Sequence, residues 1–312
     1  MRSSRSKVVH PILGRPLIVW LLDQLSVAGI PEENTVLVCG ENLEEVREAV
    51  SGRAVRFVIQ SEPLGTAHAL ISAGEFMADF SGDLLVTVGD NPWITGDEIL
   101  NLRERHAGNP APCTFISARF PHRPPPYGRI IRGDDGGVET VVEDADATPG
   151  QKEIREVNSS IYMFHTPTVW PLLSRISNRN RKQEYYLTDI ISILRASGHP
   201  VDAVCAKDYR VALGINNRWE LQEAEREFNR RSLKRLAVDG GVSIMDPTTT
   251  TVESDVEIGE DSVIFPCTYI GKGTRIGRDC RIGPFVCLRD ADIPDGAVVT
   301  SRDVPGKESS SR

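Results

Sequence analysis

Apolar residues recur along this chain with three different spacings, and each change of spacing marks a change of element. Residues 17–25, LIVWLLDQL, predict a helix that follows a loop holding Pro11 and Pro16. Residues 35–40, 55–60 and 84–92 are short β-favouring runs closed by turn residues, which predicts buried strands. Between them Asn42 is placed to cap one helix, and residues 65–70 open another. This alternation predicts βαβ units and a parallel sheet covered on both faces, with the third strand ending at Asp90. From about Cys113 to Phe164 the runs shorten to 113–117, 128–132, 138–142 and 160–164, separated by Pro- and Gly-rich turns. That texture predicts a lobe of mixed or antiparallel pairing. Residues 185–194 and 216–236 read as helices, the second highly charged, with Leu221, Ala224 and Phe228 on one face.

After that helix the spacing becomes six. Val252, Ile258, Ile264, Ile270, Ile276, Ile282 and Leu288 recur without a slip. Four positions after the first six stand Val256, Ser262, Thr268, Thr274, Cys280 and Val286, all small or β-branched. A hexapeptide repeat of this kind predicts a parallel β-helix, and seven repeats at about three per coil predict a little over two coils. So short a solenoid has open ends, which favours association with other copies.

Charge and composition narrow the class. The chain has 312 residues and a formal charge of −8, with no long basic tract, which argues against a surface that coats nucleic acid and leaves room for a phosphate pocket. Six scattered cysteines with no C-x-x-C pair read as free thiols. His10, Pro11, Arg15 and Pro16 interrupt the apolar N-terminal segment, and residues 17–22 are too short for a secretory core or a membrane span. The expectation is a soluble cytoplasmic protein with no membrane and no nucleic-acid partner.

The candidate chemistry starts at Gly89-Asp90. In open α/β sheets ligands bind beyond the carboxyl ends of the strands, and Mg²⁺ favours one or two carboxylates with phosphate oxygens. Asp90 is therefore a candidate metal ligand, the alternative being a turn residue that caps the next helix. The motifs KVVHPILGRP, QSEPLGTAHAL, VGDNPWI, YGRIIR, VVEDADAT, EVNSSIYMF, EYYLTDII and LGINNR follow in order over residues 7–218. In these motifs the chain resembles the uridylyltransferase domain of bifunctional N-acetylglucosamine-1-phosphate uridylyltransferase/glucosamine-1-phosphate acetyltransferases.

The resemblance implies a Rossmann-like α/β nucleotidyltransferase domain over residues 1–226, a helical linker over 227–250, a short left-handed parallel β-helix over 251–300 and a disordered tail over 301–312. It implies UTP and N-acetylglucosamine 1-phosphate as substrates, UDP-N-acetylglucosamine and pyrophosphate as products, Mg²⁺ as cofactor and a trimer through the β-helix. Asp90 and Asn216 match the metal ligands, and Lys7 the phosphate-binding lysine. Gln60, Gly65 and Thr66 match the uracil contacts; Gly128, Glu143 and Asn158 match the sugar contacts. Val88 and Gly89 would line the site through their backbone, with Tyr186 and Thr188 bordering the sugar pocket.

Two departures accompany the resemblance. The family's first strand and glycine-rich loop, LAAGxGTRM, have no counterpart, Met1 aligning with the last residue of that motif. Loss of that strand is expected to leave strand edges unpaired. The resulting alternatives are a truncated reading frame or a noncatalytic sugar-nucleotide binder, beside the same chemistry on another sugar 1-phosphate. All six histidines precede the repeats, so no acetyltransferase activity is expected.

Overall fold

The computed structural model describes residues 1–77 and 79–301, so the predicted tail beyond Ser301 lies outside the described residues. The chain forms two compact units. One comprises residues 3–9 and 17–215; the other comprises residues 1–2, 10–16 and the chain from Asn216 onward.

In chain order, a small hairpin, β1 (Pro11–Ile12) and β2 (Arg15–Pro16), precedes α1 (Leu17–Val27). Then β3 (Val36–Cys39), α2 (Leu43–Ala49), β4 (Arg56–Ile59), α3 (Thr66–Ser72), β5 (Asp83–Val86) and α4 (Gly96–Ala107) alternate. The lobe follows as β6 (Cys113–Arg119), β7 (Arg129–Arg132), β8 (Val138–Val142), α5 (Pro149–Lys152), β9 (Glu156–His165) and α6 (Thr166–Val169). α7 (Asp189–Ala196), β10 (Val201–Cys205) and the long α8 (Arg218–Val238) complete the sequence before the repeats.

The sheet corrects the parallel expectation. β9 lies in the middle and runs antiparallel to β5, β6 and β7, while β10 joins β6 in parallel. β3 and β4 make a separate parallel pair. Ten residues of β9 alternate in period two: Val157, Ile161 and Met163 enter one core with Ile18, Leu22, Ile99 and Leu102, whereas Tyr162 and Phe164 enter a second with Ile190, Ile191 and Leu194. Hydrophobic spacing predicted these strands but carries no record of their direction.

β5 also ends earlier than expected, at Val86. Its register on β9 runs from Asp83 opposite His165 to Val86 opposite Tyr162. Just beyond Tyr162, Ser160 takes φ +62° and the β6–β9 register shifts, so β9 offers β5 no further ladder. Residues 87–90 leave the strand as a turn. Among the described residues β5 pairs only with β9 and β3 only with β4, and Leu84 to Val86 and Val36 to Cys39 are half-buried. Two helices differ in detail. Asn42 precedes α2 without a side-chain capping bond, and residues 185–188 are not helical. Their backbone is tied to the start of α3, with Tyr185 N–H donating to the Leu64 carbonyl at 2.7 Å.

The repeats form a left-handed parallel β-helix with three ladders. β11 (Ser243–Ile244), β14 (Val263–Ile264), β17 (Arg281–Ile282) and β20 (Val298–Val299) stack on one face. β12 (Thr251–Val252), β15 (Tyr269–Ile270) and β18 (Cys287–Leu288) form the second, and β13 (Glu257–Ile258), β16 (Arg275–Ile276) and β19 (Asp292–Ile293) the third. The stack therefore has more than three coils, where the seven strict repeats predict a little over two. The extra rungs escape a strict period because Ile244 precedes Val252 by eight residues and Ile293 follows Leu288 by five. Ser262, Thr274 and Cys280 are fully buried beside the aliphatic column. A Cβ on Gly259 would lie 2.6 Å from the Gly277 backbone, so the stacked turn there requires glycine.

Ile270 is 0 % exposed at the middle rung of its ladder. Ile270→Ala is expected to cost about 3 kcal/mol through lost burial and a cavity. It should lower the urea midpoint of the β-helix transition, and an unchanged midpoint would contradict this packing. All six cysteines are free thiols. No helix among the described residues is long and apolar enough to cross a membrane.

Candidate active site

The turn after β5 carries the first cluster. Asp90 forms an ion pair with Lys7, which the short 3₁₀ turn Lys7–Val9 brings to the same place. Asp90 does not cap α4; the Thr95 hydroxyl does, accepting from Glu98 N–H at 3.2 Å. Asp90 uses its carbonyl to accept from Ile215 N–H at 3.0 Å, and a Cβ on Gly214 would stand 3.2 Å from both carboxylate oxygens. That missing Cβ leaves a small space against a hard oxygen donor. Gly89 packs closely against Val8 and Ile18, and Val88 and Gly89 are half-buried beside the cluster. No group of three or more His, Cys, Asp or Glu that could hold a metal occurs among the described residues. A site of one carboxylate completed by phosphate oxygens needs no such group, and Asp90 offers the hard oxygen donor that Mg²⁺ prefers.

Asn216 follows Ile215 directly but belongs to the other unit. Its N–H donates to Glu220 Oε2 at 2.6 Å, and its carbonyl accepts from the Met1 amino group at 2.9 Å. Asn217 caps α8 by accepting from Glu220 N–H at 2.9 Å, which fixes the turn that presents Asn216.

A second cluster gathers Gly128, Glu143, Asn158 and Thr188. Asn158 N–H donates to the Gly128 carbonyl at 2.9 Å. A Cβ on Gly128 would fall 2.8 Å from Val141 and 3.3 Å from Glu143 Oε1, so glycine here keeps the wall clear in front of the carboxylate. Thr188 donates its hydroxyl hydrogen to Glu143 Oε1 at 3.0 Å. Burial pushes the Glu143 carboxyl up, while the Thr188 hydrogen bond and the Lys182 charge pull it back. The Asn158 amide is partly used, its Nδ2 donating to Tyr162 Oη at 2.6 Å and its Oδ1 accepting from Ser160 N–H at 3.1 Å. Tyr186 is buried with no partner for its hydroxyl among the described residues, and burial with the nearby Asp146 and Glu143 carboxylates pushes its pKa up to about 12.

The third cluster lies at α3. Gln60 donates from Nε2 to the Gly65 carbonyl at 3.2 Å and meets His68 Nδ1 at 2.9 Å. Gly65 takes φ +118°, and a Cβ there would sit 2.6 Å from the Tyr185 carbonyl. Its need for glycine is thus already explained by the close pass of residue 185. The Thr66 hydroxyl accepts from Leu187 N–H at 3.0 Å, joining this cluster to the second.

Several participants lack any signal in the pattern of the sequence. Gly214 is a single glycine one residue before Ile215, and Tyr162 reads as an ordinary strand aromatic. Asp146 stands three residues after Glu143, and one of its carboxylate oxygens is buried without a partner. The repeated acid of the EDADA turn was the available clue.

A profile of the nucleotidyl transferase family matches residues 2–220, and the bacterial transferase hexapeptide (six repeats) matches residues 255–290. The chain is 42% identical over 295 residues to the bifunctional protein GlmU of Acetivibrio thermocellus, covering 95% of this chain and 63% of that protein. It is 38% identical over 293 residues to the GlmU of Geobacillus thermodenitrificans, covering 94% and 63%, respectively. With the GlmU of Mycobacterium bovis the identity is 37% over 306 residues, covering 96% and 61%. The chain thus spans under two thirds of the length of these relatives. The nucleotidyl transferase match spans the mixed α/β part and the hexapeptide match falls on the coils that follow it, so the chain belongs to the nucleotidyl transferase family and is similar along nearly all of its length to the bifunctional GlmU proteins.

Proposed function

We propose that this chain transfers a uridylyl group from UTP to N-acetylglucosamine 1-phosphate, giving UDP-N-acetylglucosamine and pyrophosphate. The observation that carries the reading is the Lys7–Asp90 pair, held in the turn after β5 with Gly214 packed against the carboxylate. In this reaction an oxygen of the sugar phosphate forms a bond to the α-phosphorus of UTP. The bond between that phosphorus and the bridging oxygen to the β-phosphate breaks, and pyrophosphate leaves with the electron pair. The protein's work is to align and neutralise negative charge.

Lys7 takes the transferring phosphate as a flexible point charge, leaving Asp90 as the phosphates arrive. Asp90 would hold Mg²⁺, with Asn216 the second ligand that the family resemblance implies, and the ion when bound would supply charge neutralisation to the phosphate oxygens. Gln60, Gly65 and Thr66 face the uracil, for which one amide offers both a donor and an acceptor. Val88 and Gly89 line the nucleotide through their backbone. Glu143 accepts hydrogen bonds from sugar hydroxyls, Asn158 offers the amide hydrogen that Tyr162 leaves unused, and Gly128 leaves room for the ring. The β-helix contributes assembly in threes and no acetyl transfer, since none of the six histidines falls within it.

Pyrophosphate release is the test. Purified full chain, UTP, N-acetylglucosamine 1-phosphate and Mg²⁺ are expected to release one pyrophosphate per UDP-N-acetylglucosamine formed, and chelation by EDTA should abolish the signal. Absence of release with this sugar but release with another sugar 1-phosphate would move the specificity. Absence with every sugar 1-phosphate would overturn the reading.

A further inference from the structure

We propose that the loop over residues 178–183 is a capture site for the phosphorylated acceptor, its cations drawing in the dianionic phosphate before the sugar settles against Glu143. The proposal rests on the acceptor assigned above. An open surface depression of about 500 Å³ is lined by Asp146, Asn178, Arg179, Asn180, Arg181 and Gln183. Residues 178–183, NRNRKQ, carry three cations and no acid, in a chain whose net charge is −8. The side chains of Arg179, Arg181 and Lys182 are exposed and form no ion pair or hydrogen bond among the described residues. Cations that are neither paired nor used in packing remain available to an anion.

The loop is built, not slack. Asn180 brackets Glu184, its Nδ2 donating to the Glu184 carbonyl at 2.6 Å and its Oδ1 accepting from the Glu184 N–H at 3.2 Å. The Arg181 N–H donates to Asp146 Oδ1 at 3.2 Å, and the Asp146 N–H donates to the Glu143 carbonyl at 2.9 Å. The cationic loop is therefore fastened to the same turn that carries Glu143. Two buried polar atoms there have no partner among the described residues, Asp146 Oδ2 and Tyr186 Oη, and both suit sugar hydroxyls. Glu143, Asp146 and Asp189 make the interior acidic, which alone would repel a phosphorylated ligand. Three cations at its rim offset that repulsion and raise the local concentration of the anion. The Lys182 charge acts directly on Glu143, opposing the effect of burial on its carboxyl.

The test is calorimetric binding to the full chain, wild type against the triple variant Arg179→Ala/Arg181→Ala/Lys182→Ala. The probes are N-acetylglucosamine 1-phosphate and neutral N-acetylglucosamine, each at 25 and 200 mM NaCl. For the phosphorylated sugar at low salt Kd is expected to rise by about tenfold, and the two proteins should converge at high salt as screening grows. Affinity for the neutral sugar should be the same in both proteins. The charge-preserving Arg179→Lys/Arg181→Lys variant should bind like wild type. An unchanged Kd for the phosphorylated sugar, or an equal loss for both sugars, would overturn the capture role while leaving the acceptor assignment standing. Failure of the wild type to bind the phosphorylated sugar would remove the acceptor assignment and this proposal together.

Discussion

Asp90→Asn is expected to lower the turnover of pyrophosphate release by about 10²–10³-fold, the scale at which loss of one preorganised charge-stabilising group acts. The replacement is nearly isosteric, so the contact with Gly214 is retained, and the backbone bond from Ile215 N–H to the residue 90 carbonyl does not depend on the side chain. What changes is charge. The amide cannot pair with Lys7 as a carboxylate does, and it is a weaker ligand for a divalent cation beside phosphate oxygens. The loss should appear mainly in kcat at saturating UTP, because the interaction strengthens as charge redistributes in the transition state. Raising Mg²⁺ should recover part of it. A thermal melt matching wild type would show that folding is intact, and turnover within threefold of wild type would remove Asp90 from the role assigned to it.

How far the sequence discloses this site depends on the kind of information each residue carries. A strict six-residue spacing reports a repeated backbone geometry, so the β-helix is legible from Val252 to Leu288. The coils on either side are not, because an eight-residue and a five-residue step break the count while the ladders continue. Alternation of apolar residues marks β5, β6 and β9 as strands, yet both directions of pairing bury the same side chains, so the antiparallel centre cannot be read from it. Glu143 and Gly128 are recognisable as residue types, whereas their approach across the β7–β8 hairpin is a matter of register. Gly65 shows the opposite hazard. Its lack of a side chain suits close approach by a base, but the fold already demands it for the pass of Tyr185, so the residue type alone does not discriminate between ligand and packing. Unpartnered atoms such as Asp146 Oδ2 exist only once every neighbour has been placed.

The YGRIIR motif carries the second large effect, at a residue outside the substrate contacts. Arg129 is 1 % exposed, and its guanidinium donates to the Pro125 and Tyr127 carbonyls and to Asp144 Oδ1, the last at 3.1 Å. Burial lowers its pKa while the Asp144 carboxylate opposes that shift. Arg129→Leu fills similar volume but leaves the Tyr127 carbonyl without the guanidinium donor, leaves the Pro125 carbonyl with the Tyr127 N–H at 2.7 Å, and leaves the Asp144 charge with Lys152 at 3.3 Å. Removing one partner of a buried pair typically costs about 3–5 kcal/mol, and that loss should appear as a lower urea midpoint with unchanged far-UV circular dichroism before the transition. The consequence reaches the site because residues 125–128 lose their anchor, and the Gly128 carbonyl is the acceptor for Asn158 N–H. KM for the sugar phosphate is therefore expected to rise while KM for UTP stays near wild type. Arg129→Lys should recover little, since an ammonium cannot span two carbonyls and a carboxylate as the planar fork does. An unfolding free energy within about 1 kcal/mol of wild type, or equal changes in both KM values, would show that Arg129 neither braces the loop nor sets the position of the sugar wall.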